Sequence, residues 1–114
     1  MTEKDINSIK ELLGSPKKIV ITTHNLPDGD AIGSSLAVYN YLLQKGHAIT
    51  IITPSNYPDF LKRLPGNNHV LNYYLDKEII IERFEEADIM FCLDYNTPSR
   101  TKGLESLVTS FNGI

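Results

Sequence analysis

Two runs rich in β-branched residues, Lys18-Ile19-Val20-Ile21-Thr22-Thr23 and Ala48-Ile49-Thr50-Ile51-Ile52-Thr53, enclose one helical repeat, and few folds accept that order. The first run does not alternate apolar with polar residues, as expected of a strand covered on both faces. From Ala31 onward Ile32, Leu36, Tyr39, Leu42 and Leu43 share one stripe at period 3.6, and Gly46 after Lys45 supplies a helix stop. Pro54 ends the second run. Strand, helix and strand make a βαβ unit, whose crossover is right-handed and whose strands are parallel.

The remaining elements extend this α/β plan. Thr2, with Asp5 three residues on, predicts a capped helix carrying Ile6, Ile9, Leu12 and Leu13 until Gly14-Ser15-Pro16, expected to cover one face of the sheet. Pro54-Ser55-Asn56-Tyr57-Pro58 and Pro65-Gly66-Asn67-Asn68 are turn-rich and leave room for a helical turn around Phe60 to Leu64, with a short strand from His69 to Tyr73. Asp76 predicts the cap of a helix running to about Glu86 with Ile79, Ile80, Arg83 and Phe84. Asp88-Ile89-Met90-Phe91-Cys92-Leu93 reads as another buried strand that delivers Asp94 at its end. Leu104, Leu107, Val108 and Phe111 suggest a last helix closed by Asn112-Gly113. The expected architecture is an open, mainly parallel sheet with helices on both faces, three layers in all. Another strand is expected where the chain stops at Ile114, which makes the sheet read as truncated.

A chain of 114 residues makes one small domain or a piece of a larger one. With 14 acidic against 11 basic side chains the formal charge is -3, so no general attraction draws it to nucleic acid or anionic lipid. The N-terminus lacks a signal-peptide pattern and no apolar run nears the ~20 residues of a membrane span. A cytoplasmic protein without a membrane partner is expected. Cys92 is the only cysteine, which excludes an intrachain disulfide and a cysteine metal cage; its apolar surroundings predict a small buried thiol.

The chemistry concentrates between the first strand and its helix, in His24-Asn25-Leu26-Pro27-Asp28-Gly29-Asp30-Ala31-Ile32-Gly33-Ser34. One imidazole and two carboxylates fall within seven residues there, spaced by a proline and a glycine that restrict and then free the backbone. Open parallel sheets bind ligands at the C-terminal strand ends where the strand order reverses. If the first strand lies between the second and the one ending in Asp94, three carboxylates and an imidazole converge there, and like charges so close need a cation. Carboxylates suit magnesium and manganese, and the imidazole adds affinity for later metals, so manganese fits the mixture best. Gly33, Ser34 and Ser35 are expected to open the helix and offer free amides to a phosphate oxygen, with Arg100 a further phosphate ligand.

Each signal has a plainer counterpart. A lone Asp-x-Asp in a glycine turn is more often solvated than ligating, Asp94 alone reads equally well as a cap, and Arg100 as a solvated side chain. His47 and His69 read as ordinary surface histidines, Tyr95 as the one tyrosine able to meet a substrate, and Lys17-Lys18 and Lys62-Arg63 as solvated.

The loop from His24 to Ser34 resembles the first motif of the DHH phosphoesterase family, and Asp94-Tyr95-Asn96-Thr97-Pro98-Ser99-Arg100 is similar to its second. The likeness is strongest to the branch acting as oligoribonuclease and phosphatase of 3′-phosphoadenosine 5′-phosphate; RecJ-type exonucleases are more distant. The resemblance implies a two-manganese phosphoesterase, with Mg2+ a substitute, in which His24 and Asp28 hold one ion, Asp30 the other, and Asp94 bridges them. It implies a nucleotide or short single-stranded oligonucleotide as substrate and leaves a homodimer open. The family's third motif, Asp-His-His, its later aspartate ligand and its glycine-rich C-terminal substrate domain have no counterpart here. Residues 1–114 are therefore expected to be the N-terminal part of a DHH-type catalytic domain, inactive alone. A magnesium-binding receiver-like domain and a non-catalytic α/β interaction domain are the alternatives. Receivers carry an acidic pair directly after the first strand, where this chain has His24.

Overall fold

A strand with apolar residues at consecutive positions is stable only when both of its faces are covered, and the first β-branched run meets that demand at the centre of the sheet. The computed structural model describes residues 2–57, 59–64 and 67–114; Pro58, Pro65 and Gly66 of the expected turn stretches lie outside them. Strands β1 (Lys18–Thr22), β2 (Ala48–Thr53), β3 (Val70–Asn72) and β4 (Ile89–Cys92) form one parallel sheet in the order β3-β2-β1-β4. In β1, Ile19 stands opposite Ile49 of β2 and Ile89 of β4, and Thr22 opposite Ile52 and Cys92. The strand order reverses at β1, so the C-terminal ends of β1 and β4 border a switch-point crevice.

Alternate residues of β1 divide the core between two faces. Ile19 and Ile21 pack with Ile32, Leu36, Tyr39 and Leu42 of helix α2 (Gly29–Gln44) on one side. Val20 packs with Ile80 and Phe84 of helix α3 (Lys77–Glu86), and with Leu104 and Val108 at helix α4 (Glu105–Thr109), on the other. Full burial of each isoleucine contributes about 1.5–3 kcal/mol, so the central strand is the best anchored element. The expected three-layer α/β architecture is the observed one. Gly46, at φ +86°, closes α2 in the left-handed conformation that its place after Lys45 predicts.

Helix α1 (Glu3–Leu12) has its predicted capping box, Thr2 with Asp5, but covers the sheet far less than expected. None of its residues is buried; Leu12 and Leu13 touch the α2-side core, while Ile6 and Ile9 stay 41% and 40% exposed. In α3, Asp76 occupies the cap position without capping, because its carboxylate instead accepts the Asn72 N–H at 3.1 Å. Ile79, expected to pack, is exposed. The stretch around Phe60 is a 3-10 segment, Asp59–Arg63, and a second, Asn67–His69, leads into β3.

Two expectations about single residues are overturned. His47 is buried rather than at the surface, because its Nδ1 accepts the Lys17 N–H at 3.1 Å and pins the turn before β2 to the turn before β1. Cys92 is exposed, at the C-terminal end of β4 where the strand opens toward the crevice. No helix of the described residues is long and apolar enough to cross a membrane.

Candidate metal centre

His24 is the residue at which the chain leaves the sheet after β1, and it is only 8% exposed. Its Nδ1 lies 2.8 Å from the Asn25 carbonyl oxygen. A carbonyl can only accept, so Nδ1 carries the hydrogen, and the lone pair of a singly protonated ring is on Nε2. That nitrogen faces Asp94 Oδ2 at 3.5 Å and Asp28 Oδ1 at 3.9 Å. The donor atoms of His24, Asp28 and Asp94 all lie within 4.8 Å of one another.

Three lone-pair donors turned toward one another can hold a cation among them, either a second proton on the imidazole or a metal ion. The spacing fits a metal. Around an ion with bonds of about 2.1 Å, adjacent donors stand about 3 Å apart and opposite ones about 4.2 Å, so shifts of tenths of an ångström close this trio. One imidazole with two carboxylates suits manganese or magnesium.

Each ligand is set by local structure. Asp28 is the N-cap of α2, and its Oδ1 accepts the Ala31 N–H at 3.0 Å. That bond holds its carboxyl below the usual aspartate range. Asp94 has φ +62°, a left-handed backbone that aspartate tolerates better than most residues. Below it, Thr22 Oγ1 donates to the Phe91 carbonyl at 3.2 Å, which leaves Tyr95 to donate its phenol hydrogen to Thr22 at 2.6 Å. Tyr95 thus braces the strand end rather than reaching toward a substrate, and burial pushes its phenol well above the ordinary tyrosine value. The loops are also tied by Asn25 N–H to the Arg100 carbonyl at 2.7 Å and Leu26 N–H to Ser55 Oγ at 2.7 Å.

The structure therefore gathers His24, Asp28 and Asp94 and leaves other predicted residues aside. Asp30 is exposed in the first turn of α2 and is not part of the trio. Gly33 and Ser34 do not open the helix. Because Asp28 caps it, α2 begins at Gly29, which puts both residues beyond the four amides a helix leaves free. Ser34 Oγ instead donates to the Ala31 carbonyl at 3.3 Å. Arg100 is exposed in the 3-10 segment Pro98–Leu104, and its backbone carbonyl is what meets the loop. Asn25, Ser55 and the Thr22–Tyr95 pair carry no motif that marks them as supports. Their signal is position: Thr22 and Asn25 stand at and just beyond the end of β1, Tyr95 beyond the end of β4, and Ser55 beyond the end of the neighbouring β2.

Comparison with known proteins identifies the family. The chain matches the DHH family, N-terminal domain, over residues 18–112. It is 38% identical over 87 residues to the bifunctional oligoribonuclease and PAP phosphatase NrnA of Thermus thermophilus, covering 75% of this chain and 24% of that protein. It is 23% identical over 112 residues to the cyclic-di-AMP phosphodiesterase PdeA of Listeria monocytogenes, covering 94% of this chain and 17% of that one. The crystal structure of an exopolyphosphatase-related protein from Bacteroides fragilis superimposes with a TM-score of 0.93 at 36% identity, over 98% of this chain and 33% of its own. The chain thus spans about a third or less of each of these relatives. With the match running from the first residue of β1 to beyond the last helix, the chain belongs to the DHH family.

Proposed function

We propose that these residues form the metal-holding half of a manganese-dependent phosphoesterase that hydrolyses phosphate esters of nucleotides or short oligonucleotides. The observation that carries the reading is the His24 Nε2 lone pair facing two carboxylates at the switch point of a parallel sheet. In this reading His24 and Asp28 hold one ion, Asp30 serves a second, and Asp94 stands between them; Mg2+ is the substitute. The exposed first-turn position of Asp30 leaves it free to approach from the solvent side. When bound, the ions supply Lewis-acid stabilisation of the charge that develops on the phosphoryl oxygens.

The protein's part is positioning. Asn25 fixes the imidazole tautomer, the Ala31 amide keeps Asp28 ionised, and the left-handed turn at Asp94 aims its carboxylate inward. We assign residues 1–114 to the N-terminal part of a DHH-type catalytic domain in a cytoplasmic enzyme. The 114-residue chain alone is expected to turn over little substrate.

Manganese titration followed by electron paramagnetic resonance tests the assignment. Wild type is expected to bind Mn2+, and Asp28→Asn, which retains capping ability, to bind at least about tenfold more weakly while folding normally. Equal Mn2+ binding by wild type and Asp28→Asn would refute the ligand role and favour a non-catalytic module.

A further inference from the structure

Beside the metal-ligand trio lies an apolar cleft of about 410 Å³, bordered by Leu26, Pro27, Asp28, Asn56 and Tyr57. Its volume is within the range of about 300–1,000 Å³ common to small-molecule sites. It shares Asp28 with the trio, so a molecule resting there is in reach of anything held by His24, Asp28 and Asp94.

Leu26 is the least expected residue in this wall. Its side chain is 71% exposed and its backbone is left-handed, at φ +53°. An exposed leucine gains little from burial, and a left-handed backbone is costly for a branched side chain that glycine or asparagine would relieve. The conformation is held by the Leu26 N–H bond to Ser55 Oγ, so it is built into the loop. Strain kept where folding does not reward it points to use in binding.

We propose that this cleft seats the base of the nucleotide whose phosphate is presented to His24, Asp28 and Asp94, with the base lying against Leu26 and Tyr57; this rests on the phosphoesterase reading above. A nucleobase has flat apolar faces and a polar edge. The cleft offers the exposed Leu26 and the half-buried Tyr57 for the faces, with Pro27 buried behind them, and the exposed Asn56 for the edge. Lys62 Nζ lies 5.6 Å from the Tyr57 ring centroid, which fixes the ring from one side. The contacts are of the stacking kind, so the subsite selects for a base without demanding a particular one.

The test compares adenosine 5′-monophosphate with ribose 5-phosphate, each titrated into the 114-residue chain at saturating Mn2+, after Mn2+ binding has been measured alone. Wild type is expected to bind the nucleotide about tenfold or more tightly than the sugar phosphate. Leu26→Asn, which accepts the left-handed backbone, and Tyr57→Leu, which keeps apolar bulk without a ring, should each reduce that ratio toward one. Affinities for Mn2+ and ribose 5-phosphate should stay as in wild type, and the melting temperature of Leu26→Asn should be unchanged or raised. Equal affinity for the two ligands in wild type, or an undiminished ratio in both variants, overturns the base subsite while leaving the phosphoesterase reading intact. Failure of wild type to bind Mn2+ overturns both.

Discussion

Thr22→Val tests whether the brace beneath Asp94 holds the site together. Thr22 is fully buried, and its hydroxyl joins two partners, donating to the Phe91 carbonyl and accepting from Tyr95. Valine keeps the shape and removes the oxygen, which leaves the half-buried Tyr95 phenol only the weak Cys92 thiol contact. Exchanging a good acceptor for a weak one costs about 1–3 kcal/mol. Tyr95→Phe costs less, about 0.5–1.5 kcal/mol, because Thr22 retains Phe91. Removing both partners at once strands neither, so the double variant should be no less stable than Thr22→Val alone. Urea unfolding of the four proteins gives the cycle, with an expected coupling of about 1 kcal/mol. Either single variant should also weaken Mn2+ binding several-fold, since the backbone that aims Asp94 follows directly from β4. Additive effects within ~0.3 kcal/mol, or Mn2+ binding indifferent to both changes, would refute the brace.

Two further outcomes concern pH. Asp5 and Asp28 both titrate below the ordinary aspartate value, through backbone hydrogen bonds from Thr2 and Ala31 respectively. The unfolded chain takes up protons on them first as pH falls. Their stabilisation is therefore complete above about pH 4 and lost as pH drops through the lower folded values, and Asp28→Asn should flatten that acid limb in thermal scans. At the other extreme, burial raises the phenols of Tyr95 and Tyr57, so the unfolded chain ionises first as pH climbs. Their contribution is complete below about pH 10 and lost above it, and Tyr95→Phe should make alkaline unfolding shallower.

Much of this architecture was legible because the core strands have one side-chain pattern and the helices another. The run Lys18 to Thr23 could only be a doubly covered strand, and the stripe from Ile32 to Leu42 fixed the face that α2 buries. His24 and Asp94 could be placed because strand ends follow from strand positions, and parallel topology brings two such ends together. What sequence did not reveal depended on bonds between residues far apart. His47 reads as a surface residue until Lys17, 30 positions earlier, donates to it. Cys92 reads as core until it is seen to close β4 at the strand's open C-terminal end. Gly33 and Ser34 look like a phosphate cradle until Asp28 caps the helix and starts it at Gly29, four residues before Gly33. The exposed Ile6 and Ile9 show the converse, since helical spacing establishes an apolar stripe without establishing what covers it.

The central claim is that one divalent ion is held by His24, Asp28 and Asp94. Substoichiometric Mn2+ added to the isotopically labelled chain tests it directly, because the ion broadens amide resonances steeply with proximity. The account predicts that Asn25, Asp28, Ala31 and Tyr95 broaden first, and that His24→Ala abolishes the pattern. Broadening centred instead on the exposed acidic side chains of α3, Glu82, Glu85 and Glu86, or spread evenly over the surface, would contradict it.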